Sequence, residues 1–296
     1  MLSYKTSELS TQQLYSYLTY AVAPRPICFA STIDRHGNVN LSPFSFFNLF
    51  SGNPPVCIFS PLRSMRSNTT KHTYENILEV KECVINIVDY DMVQQVSLAS
   101  TEYPKDINEF EKAGFTMLAS EMVKPPRVAE SPVQLECVVN DVIELGQQGG
   151  AGNLILAEVK MIHIHENMLD EEGKIDQEKI DLVARLGGDW YCRVTKENLF
   201  KVPKPLKTLG IGVDALPQSV RRSKILTGND LGLLGNVEHL PNGDEIQSMK
   251  KTDEVKILIE QDINVVDKLH LLAHHLLQDE KVKEALCVVL IANEID

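Results

Sequence analysis

With 296 residues, 43% of them hydrophobic, the chain is long enough to bury one large core or two modest ones. Its net charge of −12 at pH 7 excludes a general binder of nucleic acid or of an anionic membrane, since both need a basic face. The six cysteines, at 28, 57, 83, 137, 192 and 287, contain no Cys-x-x-Cys pair, and those in apolar runs read as small core residues. Met1 to Gln13 lacks the basic start and apolar run of a signal peptide, and no apolar stretch approaches a membrane span of about 20 residues. A cytoplasmic protein with no membrane partner is expected.

In chain order, Ser10 or Thr11 caps a short helix through Leu14, Leu18 and Ala21, which Pro24 and Pro26 end. Strand-like segments follow at Ile27–Ile33, Val39–Leu41, Pro55–Phe59, Cys83–Val88, Val133–Leu145 and Asn153–Ile164, rich in Val, Ile and Phe and separated by turn residues such as Asp34-Arg35-His36-Gly37-Asn38. Short helices are expected at Thr73–Val80 and Asp91–Ala99. Strands outnumber helices without alternating strictly with them, which favours an antiparallel barrel with accessory helices over a doubly wound sheet. The chain changes character near Phe200, where Val202-Pro203-Lys204-Pro205 reads as a domain edge. The expected organisation is a barrel domain over 1–201 and a mixed or helical C-terminal extension over 202–296. In the extension, Leu209–Leu240 is rich in Gly and Leu with ordered turns, and Asp262–Leu277 has helical spacing.

Two segments carry chemistry. Ser60-Pro61-Leu62-Arg63-Ser64-Met65-Arg66-Ser67-Asn68-Thr69-Thr70-Lys71-His72-Thr73 concentrates positive charge and hydroxyls, with no acid, in an acidic chain. It follows an apolar strand and precedes a helix, the setting a phosphate needs; the competing reading is a solvated loop. Asn40-Leu41-Ser42-Pro43-Phe44-Ser45-Phe46-Phe47-Asn48 mixes aromatic faces with short polar groups, suited to a flat ligand with a polar rim; a Phe-rich core strand is the alternative.

These segments resemble the flavin reductase-like family, whose members bind FMN noncovalently on a split β-barrel. Lys71-His72-Thr73 followed by Asn76-Ile77 is similar to the family's Lys-Asp-Thr and Asn-Ile, with His72 in the Asp position. Ser131-Pro132-Val133-Gln134-Leu135-Glu136-Cys137 and Arg185-Leu186-Gly187-Gly188-Asp189-Trp190-Tyr191 resemble two further signatures in the same order. The resemblance implies a mainly β split barrel with accessory helices. It assigns Ser60, Arg66, Lys71 and Thr73 to the FMN phosphate and ribityl chain, with Arg63 a weaker candidate. Ser31, Thr32, Ser45, Phe46, Phe47 and Asn48 fall along the ring, and Arg185 near the flavin or a nicotinamide. It implies an NAD(P)H-dependent flavin oxidoreductase, a homodimer, no metal and no dedicated catalytic side chain. A non-enzymatic FMN electron carrier, a pyridoxamine-phosphate-oxidase-like enzyme and a flavin-free interaction module are the rival readings.

Gly146-Gln147-Gln148-Gly149-Gly150-Ala151-Gly152 lies between strands and lacks the helix of a phosphate-binding loop, so a hairpin loop is expected. His270 and His274 have metal-ligand spacing, but the neighbouring leucines make a polar edge on a packed helix the expected role. His163 and His165 share one face of a strand.

Overall fold

The computed structural model describes residues 1–261 and 263–296, and divides into two compact units, Met1–Phe200 and Lys201–Asp296. In the first unit, α1 (Thr11–Ala21) begins with Ser10 and Gln13 each bonding the other's backbone N–H. Then come β1 (Cys28–Ile33), β2 (Val39–Phe44), β3 (Phe47–Gly52), β4 (Pro55–Phe59), α2 (His72–Glu79), β5 (Glu82–Ile87), α3 (Val93–Leu98), α4 (Glu109–Ala113), the short pair β6 (Met117–Leu118) and β7 (Arg127–Val128), and the long hairpin β8 (Val133–Glu144) and β9 (Asn153–Ile164). A last small pair is β10 (Val183–Arg185) and β11 (Tyr191–Arg193). The glycine-rich segment joins β8 to β9, as expected of a hairpin loop.

Seven strands form one sheet in the order β2-β1-β5-β8-β9-β4-β3, every neighbouring pair antiparallel. Laid flat, β2 and β3 would stand about 29 Å apart at the usual strand spacing. Only Ser45 and Phe46 connect them, and that link spans about 10 Å at full stretch. The sheet must therefore curl until its edges approach, helped by β-bulges in the β3–β4 and β8–β9 ladders. The edges do not hydrogen-bond to each other, so the expected barrel is an open, curled sheet.

Period-two alternation sorts the side chains. Cys28, Ala30, Cys57, Phe59, Cys83, Ile85, Cys137, Val139, Ile155 and Ala157 form the interior, and Tyr74 and Ile77 of α2 pack into it. Four of the six cysteines are here, as small core residues, and burial pushes the Cys28 thiol well up. On the other face Phe29 and Leu41 meet Val96 of α3, Phe110 of α4 and Phe115, whose ring centroid lies 5.2 Å from that of Phe29.

Glu136, between inward-facing positions of β8, has a fully buried side chain. Its carboxylate accepts the backbone N–H groups of Glu121 (2.9 Å), Met122 (2.6 Å) and Val123 (3.2 Å) and meets His163 Nε2 at 2.7 Å. Burial alone would raise this carboxyl, but the donors and His163 outweigh it and hold it below the usual range. His163 thus serves the fold, and Glu136 pegs the 121–123 turn to the sheet.

The second unit is helical: α5 (Gln218–Arg221), α6 (Gly228–Gly235), α7 (Gly243–Lys250), α8 (Asp253–Glu260), α9 (Val265–Gln278) and α10 (Val282–Ile295). Capping boxes at Thr227/Asp230 and Asn242/Glu245 start α6 and α7. Its core takes Leu216, Val220, Leu234, Val255, Leu269, Leu286 and Ile291. Of the predicted Asp262–Leu277 helix, Asp262 lies outside the described residues. The expected polar histidine edge is corrected in one respect: His274 is partly exposed and bonds Asp230 (2.9 Å), but His270 is buried. Among the described residues no His, Cys, Asp and Glu cluster is built to hold a metal, and no helix is long and apolar enough to cross a membrane.

Replacing Glu136 by Gln sets an amide N–H₂ against backbone donors. It should cost about 2–4 kcal/mol in urea unfolding at neutral pH. Because the folded carboxyl titrates below its unfolded range, its contribution is complete above that range and is lost as pH falls through the lowered folded value. The gap between wild type and E136Q should close on acidification; a gap independent of pH contradicts the assignment.

Candidate functional site

Curling the sheet brings the edge strand β2 beside loops from distant parts of the first unit. Three cavities meet along that edge. One of about 260 Å³ lies between Tyr15, Phe44, Phe46, Ser60 and Lys71. A smaller one of about 140 Å³ extends it past Asn40, Thr70, His72 and Glu102. The third, about 620 Å³, is walled by Tyr90, Ser97, Arg185, Tyr191 and Arg193. Ser100 borders all three; Ser42 and Lys71 join the first two, and Pro43 and Ser45 join the first and third. The result is one groove with a polar end where Lys71 and His72 face Glu102 and Glu109, an aromatic and hydroxyl-rich middle, and a roomy end. On this free edge of the sheet the Leu41 N–H donates to Glu109 Oε2 at 3.0 Å and Pro43 has no N–H, so β2 offers the groove carbonyl acceptors rather than donors.

At the polar end, Lys71 Nζ meets Glu102 Oε1 at 2.6 Å, and that contact holds the Glu102 carboxyl below its usual range. Glu102 is largely exposed, so the pair is a solvent-facing one. Lys71 is also the N-cap of α2, whose first N–H groups have no partner within the helix. Nearby, the Ser60 N–H donates to Phe46 O (2.9 Å), but its buried hydroxyl has no partner. A Cβ on Gly152 would come within 2.6 Å of that hydroxyl, so the glycine is required for Ser60 to sit there. An orphaned buried hydroxyl, a lysine held only by a surface ion pair, and an aromatic ring among short hydroxyls fit a flat, polar-rimmed, phosphorylated cofactor.

Of the residues singled out in the sequence, the groove collects Ser45, Phe46, Ser60, Lys71 and Arg185. The others lie elsewhere. Ser31 is fully buried and its hydroxyl donates to Pro126 O. Thr32 and Thr73 accept from Asn76 (3.2 Å) and Asn40 (2.8 Å) in a buried network between the sheet and α2. Phe47 packs against the barrel interior, and Asn48 is exposed on β3. Arg66 is exposed and does not line the groove, though its charge helps lower the Glu102 carboxyl there, and Arg63 is committed to Asn68 at 2.8–3.0 Å.

The arginine that organises the groove is Arg25, which sequence reasoning passed over. It is buried beneath Phe46, 5.9 Å from the ring centroid. Its guanidinium donates to the carbonyls of Thr19, Val22 and Leu186 and reaches Ser45 Oγ at 3.4 Å. Its backbone pairs with that of Arg185 (2.8 and 2.9 Å), tying α1, the β2–β3 link and the 185–188 turn together. The Pro-Arg-Pro context was its sequence signal, since a charge between two prolines in an apolar run needs fixed partners. In the roomy end, Arg185 lies 4.6 Å from the Tyr191 ring centroid, and Arg193 is 3.7 Å from that of Tyr90 while forking to Asp181. Tyr15, Ser100 and Glu102 were also missed, because only the fold brings them to Lys71, whereas Ser42 lies in the segment the sequence singled out.

Replacing Arg25 by Met would leave three carbonyls without their donor and should destabilise the first unit by about 2–4 kcal/mol in chemical denaturation. A change below about 0.5 kcal/mol would show that the carbonyls find water instead.

A flavin reductase like domain matches residues 20–179. An uncharacterized protein of Aquifex aeolicus is 34% identical over 201 residues, covering 68% of this chain and all of the relative. Among solved structures, nitrilotriacetate monooxygenase component B from Bacillus cereus is similar at 29% identity and a TM-score of 0.64, covering 68% of this chain and 98% of that one. The 2-nitrobenzoate 2-nitroreductase of Pseudomonas fluorescens is similar at 27% identity and a TM-score of 0.61, covering 71% of this chain and all of that one.

Proposed function

The chain belongs to the flavin reductase-like family, and from that premise we propose that it is an FMN-dependent oxidoreductase that takes hydride from NAD(P)H and passes the electrons to a second acceptor. The observation that carries the reading is the continuous groove, in which the Lys71 end, the aromatic middle and the roomy end share Lys71, Ser42, Ser45 and Ser100 as common walls. Bound there, FMN supplies two-electron acceptance, chemistry that no side chain of the chain provides.

The protein's part is position and electrostatics. Lys71 exchanges its Glu102 partner for the phosphate, and the N–H groups opening α2 add donors. The Ser60 hydroxyl gains the partner it lacks. Phe46 offers an apolar face, and Ser42, Ser45 and the carbonyls on the free edge of β2 read the polar rim. Arg25 fixes Phe46 and Ser45 from behind. The roomy end, lined by Arg185 and the two tyrosines Tyr90 and Tyr191, receives the nicotinamide nucleotide beside Ser45 and Ser100. Hydride transfer requires no side-chain acid or base, in keeping with a groove built from binding groups. A homodimer is part of the reading, supported by exposed Leu49 and Phe50 on the edge strand β3.

The deciding experiment follows the visible spectrum of the FMN-loaded protein under anaerobic conditions as NADH or NADPH is added. Bleaching at a catalytic rate is expected; a stable yellow protein with either nucleotide would leave an electron carrier as the reading. Within the groove, Lys71→Ala should weaken FMN by about 1–3 kcal/mol while sparing riboflavin. Glu102→Gln should tighten FMN by up to about 1 kcal/mol, since the competing exposed pair is gone. Equal losses for FMN and riboflavin in K71A would remove Lys71 from the phosphate end.

A further inference from the structure

The glycine-rich tip of the β8–β9 hairpin, residues 146–152, lines none of the three cavities of the groove. It packs instead against the segment 60–71 that leads from β4 to α2. Ser60 and Lys71, which carry the phosphorylated end of the proposed site, are the two ends of that segment. Within the segment the backbone is held by a single turn, in which the Ser64 N–H donates to Thr69 O and the Asn68 N–H to Ser64 O, each at 2.9 Å. A loop fastened only by such a turn must be ordered when a ligand arrives, and the lost entropy is subtracted from affinity.

The hairpin tip supplies the missing constraint. The Arg63 N–H donates to Ala151 O and the Gly150 N–H to Arg63 O, both at 2.9 Å. Pro61 O accepts the backbone N–H of Asn153 at 3.2 Å and its buried side-chain amide at 3.0 Å. Farther along, Asn68 Nδ2 donates to Gln147 O at 3.0 Å, while Asn68 Oδ1 and O accept from the Arg63 guanidinium at 3.0 and 2.8 Å. Asn68 is thus the clasp between loop and tip, and it holds that place at a φ of 57°, a left-handed conformation that Asn tolerates. The closest approach is at Gly149, where a Cβ would stand 2.9 Å from Ser64 O and 3.1 Å from Met65 Cα. Those are backbone atoms, which can yield only if the loop itself moves. Gly149 does not have a positive φ, so its own backbone would accept alanine and only the loop forbids it. Gly146, in the same tip, has no such neighbour: a Cβ there would meet the Ala151 side chain at 3.4 Å, an ordinary contact.

We propose that the hairpin tip is a splint for the 60–71 segment, with Gly149 and Asn68 as positioning residues that fix Ser60 and Lys71 for the phosphorylated end of the flavin. The inference rests on the FMN reading and adds to it a source of selectivity. The ring would rest on Ser42, Ser45 and Phe46, which belong to β2 and its link to β3, so loosening the splint costs the phosphate and spares the ring. The glycines of the tip then serve close approach of two backbones as well as chain reversal.

The test titrates FMN and riboflavin separately into the flavin-free full-length protein and follows flavin fluorescence. Gly149→Ala should weaken FMN at least about fivefold and leave riboflavin within about twofold of wild type. Gly146→Ala, the control in the same tip, should match wild type for both flavins. Asn68→Gly keeps the left-handed backbone accessible while removing the bonds to Gln147 and to the Arg63 Nε. It should also weaken FMN selectively, and at an exposed position it carries the test should G149A fail to fold. Unchanged FMN affinity in G149A, equal losses of FMN and riboflavin, or an equal loss in G146A overturns the proposal. A wild-type protein that binds neither flavin overturns the FMN reading and this inference with it. A wild-type preference for FMN that survives intact in G149A overturns this inference alone.

Discussion

Two residues separate the two edges of a seven-stranded sheet, and most of the first unit's architecture answers to that constraint. Since Ser45 and Phe46 cannot span a flat sheet, the sheet curls, and its interior narrows to positions filled by cysteine, alanine and valine beside a few larger side chains. The same link lies at the middle of the groove. Its carbonyl at Phe46 takes the Ser60 N–H, and its Ser45 hydroxyl and Phe46 ring rest on Arg25. The segment that forces curvature is thus the segment the site is built on, and buried hydrogen bonds hold it in one geometry.

Strands whose two faces have different environments were legible in the sequence, because alternation survives there. Asn153–Ile164 was read with its observed ends, and Cys28-Phe29-Ala30 sends small residues inward and an aromatic outward. β3 was not recognised as a strand. Its run Phe47-Asn48-Leu49-Phe50 lies on an edge with both faces partly exposed, so no alternation marks it. In the helical unit, α10 escaped for the opposite reason. Ala285 to Val289 are buried consecutively, and a helix covered on every side has no amphipathic period. The start of α6 was written in its capping residues, but its glycines at 228, 232 and 235 hide the helix that follows.

For the site, the sequence identified segments better than it identified side chains. The basic loop and the Phe/Ser segment do meet, yet the residues that reach the groove are those just past strand ends: Ser45 after β2 and Ser60 after β4 do, while Asn48 within β3 does not. Thr73 belongs to a buried polar network with Asn40, which explains a hydroxyl beside Lys71 without giving it to a ligand. Tertiary partners were beyond reach. Glu102 lies 31 positions from Lys71, and Leu186, whose carbonyl Arg25 holds, lies 161 positions from Arg25. Nothing local in the chain announces either pairing.

On the proposed reading a chain of net charge −12 would hold a phosphorylated group, an electrostatic problem that the groove would solve locally. Screening confines the field of distant carboxylates to about 8 Å at physiological ionic strength, so the charges near Lys71 dominate. In the free protein Glu102 neutralises Lys71 through an exposed contact worth at most about 1 kcal/mol. Giving that contact up for a doubly charged phosphate is therefore cheap, and the displaced carboxylate stays in water. The Ser60 hydroxyl works in the opposite sense: left unpaired and buried, it carries a penalty of about 1–3 kcal/mol that an incoming acceptor or donor removes. One contact that is easily surrendered and one that is missing would bias the same groove toward occupancy, and on the proposed reading an acidic protein would thereby favour an anionic group without a broad basic surface.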